Sequence, residues 1–90
     1  SNRDFSFLVD SFDKKSKIEK KLMEHDSKDL REFYNFDIFE NAKTGEIKLG
    51  YRLVFQSFSE TLNDQIIDEE VKEILKPILS IRGIKIPGLN

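Results

Sequence analysis

Ninety residues, 38% apolar and 11% aromatic, are enough for one small core; with no cysteine, a disulfide framework and thiolate chemistry are excluded. A net charge of −2, from 15 Lys and Arg against 17 Asp and Glu, excludes the strongly basic balance of a stand-alone nucleic-acid binder. His25 has no second imidazole or any thiol to join it, so no metal is expected.

No apolar run reaches the length of a membrane span and no signal-peptide pattern opens the chain, so a cytoplasmic setting without a membrane partner is expected. Ser1-Asn2 are read as a remnant of a cleaved tag and given no weight, which places a single domain at residues 3–87. Positive charge gathers only at Lys14, Lys15, Lys17, Lys20 and Lys21.

In chain order, Arg3 to Asp10 (RDFSFLVD) reads as a strand, with Phe5, Phe7 and Val9 on one face and Asp4, Ser6 and Leu8 on the other. A helix follows to about His25, capped by Asp13 or Ser16, with Ile18 and Leu22 forming a narrow apolar stripe. Asp26 to Glu32 is expected to be a charged connector. Phe33 to Glu40 (FYNFDIFE) is the second strand, aromatic on both parities. If Phe36 and Ile38 point inward, then Asn35, Asp37 and Phe39 point outward.

Lys43-Thr44-Gly45 is a turn in which glycine supplies a positive φ, closing a hairpin to a third strand that starts near Ile47 or Leu49 and runs to Phe58. Tyr51, Leu53 and Phe55 take one face; Arg52, Val54 and Gln56 take the other. The second helix is the clearest element. Thr61 is expected to cap it, with Asp64 at the third position, and Leu62, Ile66, Ile67, Val71, Ile74, Leu75 and Ile78 recur at spacings of three and four. Pro77 must kink this helix or begin a new turn. Ile81 to Ile86 completes the order as a short last strand, ended by Pro87-Gly88.

The order β-α-β-β-α-β predicts an α+β fold: a ferredoxin-like two-layer sandwich with a four-stranded antiparallel sheet and two helices on one face. The other face of the sheet is then open. Nothing in the chain assembles a catalytic centre. The four glycines are scattered at 45, 50, 83 and 88, so no phosphate loop exists. An acylphosphatase-like site would need Gly and Arg in the loop after the first strand, and Asp10-Ser-Phe-Asp-Lys-Lys15 has neither. Asp68-Glu69-Glu70 point in different directions around a helix and do not converge.

RDFSFLVD, FDIFE and LGYRLVFQSFSETLND, followed by an Ile/Val-rich helix and a Gly-led terminal strand, resemble the ferredoxin-fold anticodon-binding domain. That domain closes the beta subunit of bacterial phenylalanyl-tRNA synthetase and the single-chain mitochondrial enzyme, and the likeness points to the bacterial type. It covers nearly all of the chain. One departure is Pro87, which stands where the family commonly has a basic residue.

By that resemblance the chain has no catalytic residues or cofactor of its own, while ATP and magnesium serve the parent ligase. Its implied partners are phenylalanine tRNA, other domains of the parent chain, and the alpha subunit of an alpha2beta2 enzyme. The expected RNA-facing residues are Arg3, Arg52, Lys85, Phe39 and Gln56, with Lys14, Lys15 and Lys17 as phosphate contacts. The alternative is a protein-interaction or regulatory module of the same fold without RNA contact.

Overall fold

The structure, a computed structural model, describes residues 1–88. The elements follow in the order β1 (Asn2–Val9), α1 (Lys14–Glu24), β2 (Leu30–Glu40), β3 (Ile47–Phe55), α2 (Asp64–Leu79) and β4 (Ile84–Lys85). The sheet order is β2-β3-β1-β4, antiparallel throughout. This is the ferredoxin-like βαββαβ sandwich. Both helices lie on one side, and the core is the layer between them and the sheet.

Alternation in β1 and β3 builds that layer. Phe7 and Val9 meet Leu49 and Ile47 across the strand pair, and Tyr51, Leu53 and Phe55 continue the same buried face. Phe7 and Tyr51 pack edge to face with ring centroids 5.8 Å apart. Ile18 and Leu22 of α1 and Ile67, Val71, Ile74, Leu75 and Ile78 of α2 close the layer from above.

Tyr51 carries its hydroxyl into this interior, where it donates to the Glu19 carboxylate. Lys15 grips the same oxygen at 2.6 Å. Burial raises the Glu19 carboxyl, but the hydrogen bonds from Lys15 and Tyr51 outweigh it and hold Glu19 below its ordinary value. Burial and the neighbouring Glu19 together push the Tyr51 hydroxyl far above an ordinary phenol. A polar group in the core thus has its partner, and that partner fastens α1 to β3.

Several expected boundaries move. Asp13 occupies the cap position of α1, but its side chain makes no capping bond and accepts from the Ser11 hydroxyl instead. The start of β2 lies at Leu30, so the second half of the expected connector belongs to the sheet. β3 stops at Phe55 rather than Phe58, and just beyond it the Gln56 N–H still reaches across to the Asp29 carbonyl at 2.9 Å. β4 keeps only two of the six expected residues, since the Ile81 and Ile84 N–H groups close turns onto Ile78 and Ile81. α2 runs through Pro77 to Leu79. The proline lies in the last turn, where only the bond to the Glu73 carbonyl is lost.

The turn between β2 and β3 forms as expected, with Gly45 at φ 77°. His25, a lone imidazole in the sequence, is the C-cap of α1. Ser1 and Asn2 take part in the sheet: Asn2 opens β1, and Ser1 exchanges two bonds with Phe55, at 2.8 and 3.1 Å.

The cap of α2 is Asn63, not Thr61. Asn63 is extended, at φ −121° and ψ 170°, and its Oδ1 accepts from the Ile66 N–H at 2.9 Å. Asp64 becomes the first helical residue, where its charge favours the positive end of the helix dipole. Asn63→Ala is therefore expected to cost about 1 kcal/mol in urea unfolding, and Thr61→Ala close to nothing. Equal losses at the two positions would contradict this capping.

Candidate nucleic-acid interface

Cross-strand register sorts the open face into four rows. These are Glu32–Val54–Asn2, Tyr34–Arg52–Asp4, Asp37–Gly50–Ser6 and Phe39–Lys48–Leu8–Lys85. Side chains opposite one another in a sheet project from the same face, so each row stands together above the sheet.

β2 contains an irregularity between Asn35 and Asp37, where Asn35 pairs with Tyr51 and Asp37 with the adjacent Gly50. Phe36 is the extra residue of this bulge. The insertion shifts parity, so Asn35 turns toward the helices while Phe36 and Asp37 both stand on the open side. Asn35 secures the distortion, its Nδ2 donating to the carbonyls of Asp37 and Gly50, each at 2.9 Å. Gly50 makes room for the ring. A Cβ at that position would lie 2.9 Å from Cζ of Phe36.

The sequence reading placed Phe36 inward and Asn35 outward, and both assignments are reversed. Ile38 does face the helix side, opposite Leu49, but at the sheet edge it remains 48% exposed. The open face therefore displays three aromatics: Tyr34, Phe36 and Phe39, exposed by 42%, 50% and 60%. Only Phe39 had been placed there from sequence. The missed signal was the double aromatic parity of FYNFDIFE, which a regular half-buried strand does not show.

Arg52 stands among these rings. Its guanidinium lies 5.8 Å from the centroid of Phe36, and Nη1 is 3.5 Å from the Tyr34 hydroxyl. It also forms a bidentate pair with Asp4, Nε to Oδ1 at 2.8 Å and Nη2 to Oδ2 at 2.9 Å. That pairing holds the Asp4 carboxyl below its ordinary value and raises the Arg52 guanidinium further.

The other sequence-derived candidates do not all share this surface. Lys85 stands at its margin, 3.9 Å from Glu46. Gln56 is exposed just past the end of β3, at the opposite end of the sheet from Lys85. Arg3 pairs with Leu53, which puts it on the helix side, where it reaches Asp64 at 3.0 Å and Asp68 at 3.5 Å. Lys14 and Lys15 belong to the helical layer and are held by Asp10 and Glu19, each at 2.6 Å. Lys17 is exposed and forms no ion pair with any described residue.

Lys48, not singled out from sequence, is exposed in the fourth row and likewise has no ion-pair partner among the described residues. Among those residues, no group of three or more His, Cys, Asp or Glu side chains could hold a metal. Among the described residues, no helix is long and apolar enough to cross a membrane.

An open antiparallel face carrying aromatics and basic groups, on a helix-backed sandwich, is the architecture of a binding module. The chain belongs to the ferredoxin-fold anticodon binding domain family, whose model matches residues 1–86. It is similar to the phenylalanine–tRNA ligase beta subunits of two Bacteroides fragilis strains, ATCC 25285 and YCH46. Each is 31% identical over 86 residues, covering 93% of this chain and 10% of the relative. The chain thus spans about a tenth of the length of these relatives.

Two substitutions test the bulge. Asn35→Ala is expected to cost about 1–2 kcal/mol in urea unfolding, because two main-chain carbonyls lose their donor. Gly50→Ala is expected to displace the Phe36 ring and change the ring-current shifts of the Arg52 side-chain protons in NMR spectra of the folded domain. Unaltered Arg52 shifts would mean that the ring does not depend on glycine at position 50.

Proposed function

We propose that the open sheet face contacts the anticodon stem-loop of phenylalanine tRNA, as one module of a phenylalanine–tRNA ligase. The parent enzyme would join phenylalanine to its tRNA with ATP and magnesium in another domain, in the cytoplasm. The other domains of the parent chain and an alpha subunit would hold this module in place. One observation carries the reading. The bulge collects Tyr34, Phe36 and Phe39 on the same face as Arg52, Lys48 and Lys85.

The chemistry of that face favours stacking over phosphate trapping. Every base offers a π-face to an exposed aromatic ring, and single-stranded loops leave such bases available. Arg52 is clamped by Asp4, and Lys85 is near Glu46. Lys48 is thus the basic side chain of this face that is free to neutralise a phosphate. Arg3, Lys14 and Lys15, engaged by carboxylates away from the face, are secondary candidates, as are Lys17, exposed on α1, and Gln56, just past the end of β3.

The test is a titration of the domain with phenylalanine tRNA and with a non-cognate tRNA, at low and near-physiological salt. Cognate preference is expected, with log K falling against log salt at a slope of about −1 to −2, since about two phosphates are engaged. Phe36→Ala and Phe39→Ala are expected to weaken cognate binding with little change in that slope, and Lys48→Ala to flatten it. Equal binding to both tRNAs that disappears with modest salt would overturn the reading. Absence of binding at low salt would instead point to the protein-docking alternative, in which Leu8, Val54 and the rings pack against another domain.

A further inference from the structure

Away from the open face, a second set of side chains has unusual chemistry. Asp29, just before β2, is 1% exposed and is the only charged residue in the buried set among those described. Its backbone carbonyl receives the Gln56 N–H at the exit of β3. Its Oδ2 has no donor, and neither does Oε2 of Glu70, on α2. The other Glu70 oxygen, Oε1, accepts from the Ser27 hydroxyl. Ser27 Oγ in turn receives the Leu30 N–H at 3.2 Å. Ser27, two residues before Asp29, thus draws Glu70 and its orphaned oxygen toward the segment that carries the orphaned oxygen of Asp29.

Two ionised carboxylates in this position would repel one another, and among the described residues neither forms an ion pair with a basic side chain. Lys28 feels the charge of both carboxylates, but its ammonium is exposed and engaged by Glu60 at 3.2 Å. His25 faces the adjoining cleft of about 530 Å³ from the end of α1, together with Asp26 of the connector. From α2, Glu69 and Glu73 face the same space. The surroundings are therefore acidic on balance, and a proton is the simplest neutralising species.

We propose that Asp29 and Glu70 share one proton, and that this carboxyl–carboxylate bond is a proton-operated latch between α2 and the segment leading into β2. In the closed state the Glu70 Oε2–H donates to Asp29 Oδ2, while Ser27 satisfies Oε1. Loss of that proton to solvent leaves two like charges facing each other. The Ser27–Leu30 segment then separates from α2, widening the cleft and loosening the Asp29–Gln56 bond at the exit of β3. Burial, followed by the hydrogen bond with Asp29, holds the Glu70 carboxyl above its ordinary value, in line with the geometry.

The folded chain then binds this proton more tightly than the unfolded chain does. Stability should fall as pH rises from the ordinary glutamate value, 4.5, to the higher titration point in the fold, and level off above it. Glu70→Gln supplies a permanent N–H donor to Asp29 and removes the titration. Urea unfolding of both proteins from pH 4.5 to 8 provides the comparison. The ratio of the variant's folding constant to the wild-type constant is expected to rise with pH, by ~10-fold for each pH unit separating the two titration points. Amide protection at Leu30 and Gln56, taken relative to the intrinsic exchange rate at each pH, should fall over the same range in the wild type only.

A ratio independent of pH, or one that falls as pH rises, would overturn the proposal. If Glu70→Gln does not fold, Asp29→Asn presents the same donor from the other side and serves for the same comparison. NMR titration of the Glu70 side-chain carboxyl in the wild type decides independently of any variant. A midpoint at or below the ordinary glutamate value would also overturn the proposal.

Discussion

The open face is organised by one extra residue in an edge strand. A regular β2 continuing the Tyr34–Arg52 and Asn35–Tyr51 pairing would keep Phe36 on the open face but would set Phe39 opposite Ile47, facing the helices. The insertion at Phe36 returns Phe39 to the open face and turns Ile38 inward. The Asn35 side chain donates to the carbonyls of Asp37 and Gly50 across the bulge, and Gly50 leaves the surface into which the ring settles. Three residues in two strands therefore determine where an aromatic platform forms. Arg52 and Asp4 then occupy the adjoining row and fix its polar edge.

The helical side uses the chain's basic residues in a different way. Lys15 holds Glu19 under the Tyr51 hydroxyl, Lys14 holds Asp10, and Arg3 ties the start of β1 to Asp64 and Asp68 in the first turns of α2. Exposed ion pairs of this kind contribute little to stability, so their main consequence is electrostatic. Of the cations that the sequence offers as phosphate ligands, Lys14 and Lys15 are already matched by carboxylates. A domain with a net charge of −2 and few free basic groups on its open face has little long-range attraction for a polyanion. Contacts by ring faces, which act only at close range, suit such a surface better.

Much of this was legible in sequence. Alternation in RDFSFLVD and YRLVF fixed the buried faces of β1 and β3, and the three-and-four spacing from Ile66 to Ile78 fixed α2. Lys43-Thr44-Gly45 identified the hairpin. What escaped was decided between strands. FYNFDIFE carries aromatics on both parities, and only pairing with β3 reveals where parity shifts. Thr61 and Asn63 are both competent caps, and the choice depends on where the chain leaves the Asp29-bound end of β3. Nothing in the local sequence marks Lys48, which register places beside Phe39 and Leu8. Asp29 and Glu70 lie 41 positions apart with nothing local to connect them, so their meeting belongs wholly to the tertiary fold.

The size of the platform has a consequence for how it would work. Three partly exposed rings and one unpaired lysine offer a few stacking contacts, each worth about 1–3 kcal/mol before the cost of immobilising the partner. That is too little for tight association between two free molecules. It is ample once the partner is already held, because tethering converts a second contact into an intramolecular event at an effective concentration set by the linkage. The chain spans only a tenth of its relatives, whose remaining length could supply such a hold. A rigid scaffold then matters more than raw affinity. The core fastened through Tyr51 and Glu19, and the bulge fastened through Asn35, keep Phe36 and Arg52 in one arrangement before any partner arrives, so that little of the modest contact energy is lost to ordering the surface itself.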